Sequence, residues 1–318
     1  MRNFLPTPRL LPLLALALLT TTTAAAENPY LGEWELTIPG GGAGWLGVSK
    51  QNGKLTAQLL WGGGSVLPVK DVRLEGNTLV LTRPQSNNET ITAARDGDNL
   101  KLTTTRNRND GSSAKVDFTG KLQPPLPPAP DLSKVKFGPA IQLFNGKDLT
   151  GWRLTNPSAE NGWSVKDGIL VNDPSDKSRH YGNLRTDREF EDFNITLETN
   201  VAKGQNSGVY LRGIYEIQVA DTYGRKLDPH NMGALYSRIT PTSSAEKKPG
   251  EWQTLDITFV DRHVTVILNG TKIIDNQPAH GCTGGALWSN VSRPGPIYLQ
   301  GDHTGIQYRN ISLKPVVK

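Results

Sequence analysis

From Pro124 to Pro130 the chain reads Pro-Pro-Leu-Pro-Pro-Ala-Pro, and five prolines in seven residues rule out both a helix and a sheet ladder there. Each proline fixes φ and removes a backbone donor, so the segment is expected to be a stiff, extended connector. It divides the chain into a region of about 95 residues and one of about 185. Both are long enough to bury a core of their own. The expected organisation is a small β domain over 27–123, a proline-rich linker over 124–136 and a larger domain over 137–318.

The first residues address the compartment. Arg2 and Arg9 precede the apolar stretch Leu10–Leu19, a Thr-rich step follows, and Ala24, Ala25 and Ala26 offer a small-residue cleavage site before Glu27. Residues 1–26 therefore read as a secretory signal peptide, and the expectation is an exported protein, periplasmic or secreted. The stretch is too short for a membrane span, no later segment approaches ~18 apolar residues, and no Cys stands at the cleavage site to take a lipid. Cys282 is the only cysteine, which excludes an intrachain disulfide and leaves stability to core burial. The net charge of +5 is spread over Lys and Arg interleaved with acids, so the chain carries no nucleic-acid footprint.

The first region is short-strand, turn-rich sequence. Gly32–Ile38, Leu55–Trp61, Val69–Leu74 and Thr78–Arg83 read as strands, with Asn52-Gly53 and Gly76-Asn77 as turns between them. No helical period runs for more than a turn, and the prediction is a small β-barrel or sandwich. Gly40-Gly41-Gly42 and Gly62-Gly63-Gly64 lack the Lys-Ser/Thr and the following helix of a phosphate cradle, and they read as turns. Trp34, Trp45 and Trp61 suit core or barrel-end packing, with stacking on sugar rings as the alternative.

The second region is also β. Phe193–Val201, Gly208–Arg212, Tyr215–Ala220, Thr254–Val260, His263–Asn269 and Ile306–Leu313 alternate or are rich in β-branched residues, and Asn269-Gly270 is a hairpin turn. Leu255, Ile257 and Phe259 face one way and Thr254, Asp256 and Thr258 the other, the pattern of a half-buried antiparallel strand. At least eight strands predict a two-sheet jelly-roll sandwich. Within it, Asn206–Asp221 carries unusual polar residues. Alternation puts Tyr210 with Arg212 on one face, and Glu216 with Gln218 on one face, with Gly213 as a bend between the two runs and Asp221 at the far end. If the two polar faces coincide, they make a concave surface suited to a polyhydroxylated ligand. The alternative is a solvated sheet face with one Arg–Glu ion pair.

Several motifs then carry a resemblance. Leu143-Phe144-Asn145-Gly146-Lys147-Asp148-Leu149-Thr150-Gly151-Trp152 opens the series, followed by Ser207–Arg212 with Tyr215–Val219, then Gly250-Glu251-Trp252-Gln253 and Val266–Gly270. Pro296–His303 and Tyr308-Arg309-Asn310-Ile311 close it. In this order the chain resembles the 3-keto-glucoside lyase and hydratase family, also named 3-keto-disaccharide hydrolases, over residues of about 138–316. The resemblance implies a concanavalin-like jelly roll, export in bacteria and a small 3-keto sugar as substrate. The first region lies outside it.

A ketone at C3 of a glycoside acidifies the C2 proton, so such a substrate calls for a base at C2–H, a donor at the C3 oxygen and an acid at the leaving oxygen. Glu216 is the candidate base, Arg212 the donor through its forked guanidinium, and His303 the acid or a second base. Gln218, Tyr210, Asp221, Asp302 and Gln300 are candidates to hold the sugar. His230, on a loop, is a candidate substrate or metal contact, His280 can line a cleft, and His180 and His263 read as surface residues. No spacing argues for a metal. Glu216, Asp221 and Asp302 would hold a divalent cation only if the fold gathers them, and no other cofactor is called for. Two alternatives stand beside this reading: a lectin-like protein that binds glycan without turnover, and a conventional glycosidase pairing Glu216 with Asp221 or Glu251.

Overall fold

A computed structural model of the chain describes residues 28–86, 88–107, 111–176, 178 and 180–317. The signal peptide expected over 1–26 lies outside the described residues. Among those described, every regular element is a strand, and none forms a helix long and apolar enough to cross a membrane.

The first region is one nine-stranded antiparallel sheet. Gly32–Thr37 pairs on one side with Ala43–Gln51 and on the other with Ser113–Leu122, so the beginning and end of the region are neighbours. The two edge strands, Leu67–Pro68 and Val72–Glu75, follow one another in the chain. Consecutive strands at opposite edges force the sheet to curl on itself, which makes a small barrel. Trp34, Leu36, Leu46, Leu59, Leu79 and Leu102 fill it. The strand expected over Val69–Leu74 begins only at Val72, because Val69 donates to the Ala57 carbonyl and Asp71 accepts from Thr82 across the closing edges.

The second region is a jelly-roll sandwich of an eight-stranded and a five-stranded sheet. Phe193–Asn200 and Trp252–Val260 lie at the centre of the larger sheet, with Phe193, Ile195, Leu197, Leu255, Ile257 and Phe259 turned inward. The smaller sheet runs Trp152–Leu154, Leu184–Thr186, Tyr298–Leu299, Asn206–Leu211, Tyr215–Ala220. Its inner face presents Val209, Leu211, Tyr215, Ile217, Val219 and Leu299 to the same core. A strand with one apolar face leaves its other face for something else, and on this sheet that face carries the polar residues.

The proline-rich segment forms no strand. It is tethered rather than free: the Pro124 carbonyl accepts from Arg262 Nη1 at 2.9 Å and the Pro130 carbonyl from Asn276 Nδ2 at 2.9 Å. The barrel also leans on the sandwich. Ala43, Trp45 and Leu60 of the barrel pack with the sandwich core, and the Trp45 ring lies 4.3 Å from the Arg238 guanidinium. Trp34 and Trp45 are buried, in agreement with a packing role for both.

Candidate active site on the outer face of the small sheet

Register decides which side chains meet. Tyr210 stands directly opposite Glu216, Gly208 opposite Gln218, and Tyr298 opposite Tyr210 from the other side. With a period of two, Gly208, Tyr210, Glu216, Gln218, Tyr298 and Gln300 share the face that points away from the core. Gln300 extends the row, its N–H donating to the Gly208 carbonyl at 2.9 Å.

Glu216 is only 4 % exposed, and its carboxylate folds back over Gly208: a Cβ there would lie 2.8 Å from Glu216 Cγ and overlap Oε1. The absence of a side chain at 208 is therefore what lets the carboxylate lie down on its own hairpin. Tyr210 Oη donates to Glu216 Oε2 at 2.9 Å. The Tyr210 ring stacks on Tyr298 at 3.8 Å between centroids, with the planes 10° apart. Burial pushes the Glu216 carboxyl up to about 8; the Tyr210 hydrogen bond and the charge of His303 oppose that, and the charge of Asp302 adds to it. His303 Nδ1 is 2.7 Å from Asp302 Oδ1. That hydrogen bond raises the imidazole above its ordinary value, with the charges of Asp302 and Glu216 acting in the same sense. Burial drives both tyrosine hydroxyls well above their usual range, so they act here as neutral donors and acceptors.

Two acceptors on this surface have no protein partner. Gln300 Oε1 and Asn206 Oδ1 are buried without a hydrogen bond among the described residues, a costly state that a sugar hydroxyl would relieve. Gln218 Oε1 accepts from the Val219 N–H at 3.1 Å, which leaves its amide donors for another partner.

Arg212 does not join them. Its strand ends at Leu211, and Arg212 (φ 54°) and Gly213 (φ 71°) form the turn that brings Ile214 N–H back to the Leu211 carbonyl at 3.1 Å. Alternation stops where the turn begins, so the expectation that Arg212 shares the face of Tyr210 is corrected. Its Nη2 donates to the carbonyls of Val291 at 2.7 Å and Arg293 at 2.6 Å, and its guanidinium is 5.9 Å from the Phe259 ring. Asp221 is likewise turned aside, accepting from the Gly204 N–H at 2.9 Å. His230 reaches the barrel, where its Nε2 is 2.9 Å from Ser65 Oγ. His280 Nδ1 is hydrogen-bonded to Glu33 Oε1 of the barrel and borders a cleft of about 700 Å³ along the seam, which Glu216 does not border. His263, read as a surface residue, is buried with its ring on the Asp261 carbonyl.

Among the described residues no three of His, Cys, Asp and Glu gather to hold a metal. Glu216 and Asp302 are near neighbours, but the third oxygen donor expected, Asp221, is tied to Gly204.

Tyr298 and Asn206 were not anticipated as site residues. Tyr298 alternates with Gln300 in Ile297-Tyr298-Leu299-Gln300, and Asn206 with Gly208, so the period-two signal places both on this face.

The residues that build this face all lie within one matched stretch of sequence: the family model of the 3-keto-alpha-glucoside-1,2-lyase-like domain matches residues 139–314, more than half of the chain. The chain belongs to this family. It is thereby a carbohydrate-active protein of the glycoside-cleaving kind. Three solved structures from Parabacteroides distasonis, each described as a candidate glycosyl hydrolase, are similar to it. One is 31 % identical, with 61 % of this chain and 93 % of that chain covered at a TM-score of 0.45. The second is 22 % identical over 56 % and 94 %, TM-score 0.46, and the third 27 % identical over 55 % and 98 %, TM-score 0.42. A search of curated proteins finds no match.

Proposed function

We propose that this protein is an exported enzyme that cleaves 3-keto-glycosides by elimination, with hydration of the product completing a net hydrolysis. The observation that carries this reading is the Glu216 carboxyl: buried on a polar face, raised to about 8, and within reach of a single phenol donor. A group that holds its proton this firmly is a strong base once ionised, which suits removal of a carbon-bound proton activated by a ketone.

The roles follow from placement. Glu216 takes the proton from C2, and the electron pair forms the enolate at the C3 oxygen. The amide donors of Gln218 serve that oxygen in place of Arg212, a role supported by the Gln218 Oε1 being engaged with the Val219 N–H. The enolate re-forms the C3 carbonyl and the C1=C2 bond as the C1–O1 bond breaks. His303, with Nδ1 held by Asp302, presents Nε2 to protonate the leaving oxygen. Water then adds its oxygen to C1 while giving a proton back to His303, and Glu216 returns its proton to C2. Tyr298 supports the ring of Tyr210, and Gln300 and Asn206 accept from sugar hydroxyls. No step is routed through a metal, since Asp221 is not available to the pair of Glu216 and Asp302.

A conventional glycosidase is the second reading, and one observation favours it: Asp302, rather than Asp221 or Glu251, is the carboxylate whose charge reaches Glu216. Purified protein incubated with 3-keto-glycosides and unoxidised glycosides side by side separates the two. Elimination predicts turnover of the 3-keto compounds alone, together with exchange of C2–H for solvent deuterium; hydrolysis of the unoxidised set at a comparable rate favours the second reading. No turnover of either, with binding retained, returns the protein to the lectin-like class, and a chelator arm tests the divalent cation.

A further inference from the structure

The barrel reaches the catalytic face at the sandwich segment Thr283–Gly285. Thr283 Oγ1 accepts from the Glu216 N–H at 2.9 Å, and the Thr283 N–H donates to the Ile214 carbonyl at 2.9 Å, so this segment lies along the hairpin that carries Glu216. Its next two carbonyls hold the stacked tyrosines: Tyr210 Oη is 2.7 Å from the Gly284 O and Tyr298 Oη is 2.9 Å from the Gly285 O. From the other side the barrel turn Gly62–Gly64 presses on the same two residues. The Gly285 N–H donates to the Gly62 carbonyl at 3.3 Å, and a Cβ on Gly284 would lie 2.7 Å from the Gly64 N and overlap its O. Ser65 and Val66 continue the seam with bonds to His230 at 2.9 Å and Ser237 at 2.8 Å.

A phenol has one proton, and the Tyr210 hydroxyl has Glu216 Oε2 at 2.9 Å and the Gly284 carbonyl at 2.7 Å as acceptors, with the Tyr298 hydroxyl beside them. When Glu216 is ionised, the proton belongs on the carboxylate, the stronger acceptor. When Glu216 is protonated, its O–H can donate to Tyr210 Oη if Tyr210 turns its own proton away, and the Gly284 carbonyl at 2.7 Å is the nearer of its two strong acceptors. We propose that the barrel turn Gly62–Gly64 is a positioning element of the active site: by fixing the backbone at Gly284, it supplies the carbonyl to which Tyr210 turns once Glu216 has taken a proton. This rests on Glu216 as the base, and it gives the N-terminal barrel a part in the chemistry of the sandwich. No proton leaves the trio in the exchange, since Glu216 keeps the one it took and Tyr210 keeps its own.

The titratable groups on the side of Glu216 are Tyr210 on its own hairpin, Tyr298 on the adjacent strand, and Asp302 and His303 from the loop after Gln300, while Tyr308 feels its charge from the core side of the sheet. Loss of the Gly284 carbonyl leaves the protonated state of Glu216 short of an acceptor while the ionised state keeps its donor. The midpoint of Glu216 should therefore fall. Water entering the site would lower it too, and only the dependence on Tyr210 separates the two causes.

The test is titration of Glu216 by carbon NMR in full-length protein with labelled glutamate, the resonance being identified by its loss in Glu216→Gln. Gly284→Ala, and separately a deletion of Gly63 that alters only the barrel turn, should each lower the midpoint by about half a unit or more. In the Tyr210→Phe background neither change should lower it further, because the carbonyl acts through the phenol. An unmoved midpoint in the Gly63 deletion, or an equal fall with and without Tyr210, overturns the proposal. The failure of Glu216 as base has a different signature, namely Glu216→Gln retaining turnover whatever the titrations show.

Discussion

Arg212 and Glu216 stand four residues apart on one hairpin and serve opposite ends of it: the guanidinium is bound to the carbonyls of Val291 and Arg293, while the carboxylate lies over Gly208 beside Tyr210. The turn at Arg212 and Gly213 lies between them and breaks the alternation that would have put both on one surface.

The first prediction follows from that separation. Arg212→Lys replaces a fork with a point charge, so it should lose part of a set of charge-assisted bonds worth ~1.5–3 kcal/mol and lower the melting temperature by several degrees. Turnover per folded molecule on a 3-keto-glycoside should stay within about threefold of the parent, or ~0.65 kcal/mol in the barrier. A loss beyond tenfold at an unchanged melting temperature would return Arg212 to the chemistry.

The pH dependence of turnover is the second. Glu216 must be ionised to act, and it titrates at about 8, so kcat/KM in the free enzyme should rise with pH up to about 8. His303 must carry its proton to act as acid, and the hydrogen bond from Asp302 raises its midpoint above the ordinary imidazole value, so loss of that proton opposes the rise with pH. Asp302→Asn removes the hydrogen-bonded charge, so His303 should lose its proton at lower pH and activity on the alkaline side should fall. An acid limb near the ordinary carboxylate range would show that a different group is the base.

How much of this was legible in the sequence differs from one residue to the next. The alternation of Tyr215–Val219 fixed the face of Glu216 and Gln218, because a strand with one apolar side has no freedom in the other. Arg212 failed for a local reason: a non-glycine residue at φ 54° continues a strand on paper and ends it in space. The stacked pair of Tyr210 and Tyr298 needed the pairing of two strands far apart in the chain, and period alone gives a face but not a neighbour. The proline run forms no strand, as its missing backbone donors require. What composition could not show is that Trp45 and Leu60, strand residues of the barrel, pack into the core on the other side of it.

Gly208 carries the third prediction. Its backbone is ordinary for a strand, so Ala costs nothing in φ, but the new Cβ would overlap Glu216 Oε1. The carboxylate must swing off the hairpin and away from Tyr210. Gly208→Ala should therefore cost at least ~10-fold in kcat, or about 1.4 kcal/mol, and lower the acid limb of the pH profile as the carboxyl moves toward water. Unchanged kinetics in a folded variant would mean that the carboxylate has room to act from elsewhere.

The fourth prediction is that Glu216 performs the proton abstraction, and that removing its charge stabilises the fold at alkaline pH. Glu216→Gln keeps size and hydrogen bonding and removes basicity, so turnover should fall by ~10²-fold or more with sugar binding retained. Exchange of C2–H with solvent deuterium should vanish in Glu216→Gln and persist in His303→Gln, which assigns the base to the first and leaving-group protonation to the second. The stability effect has a definite sign. The folded midpoint of about 8 lies above the ordinary 4.5, so between those values the folded state binds the proton that the unfolded chain has released, and parent stability declines as pH rises across that window. Glutamine does not titrate. The melting temperature of Glu216→Gln relative to the parent should thus climb from pH 5 to pH 8 and level off above it, and a difference that stays constant over this range would show that the carboxyl is not held protonated by the fold.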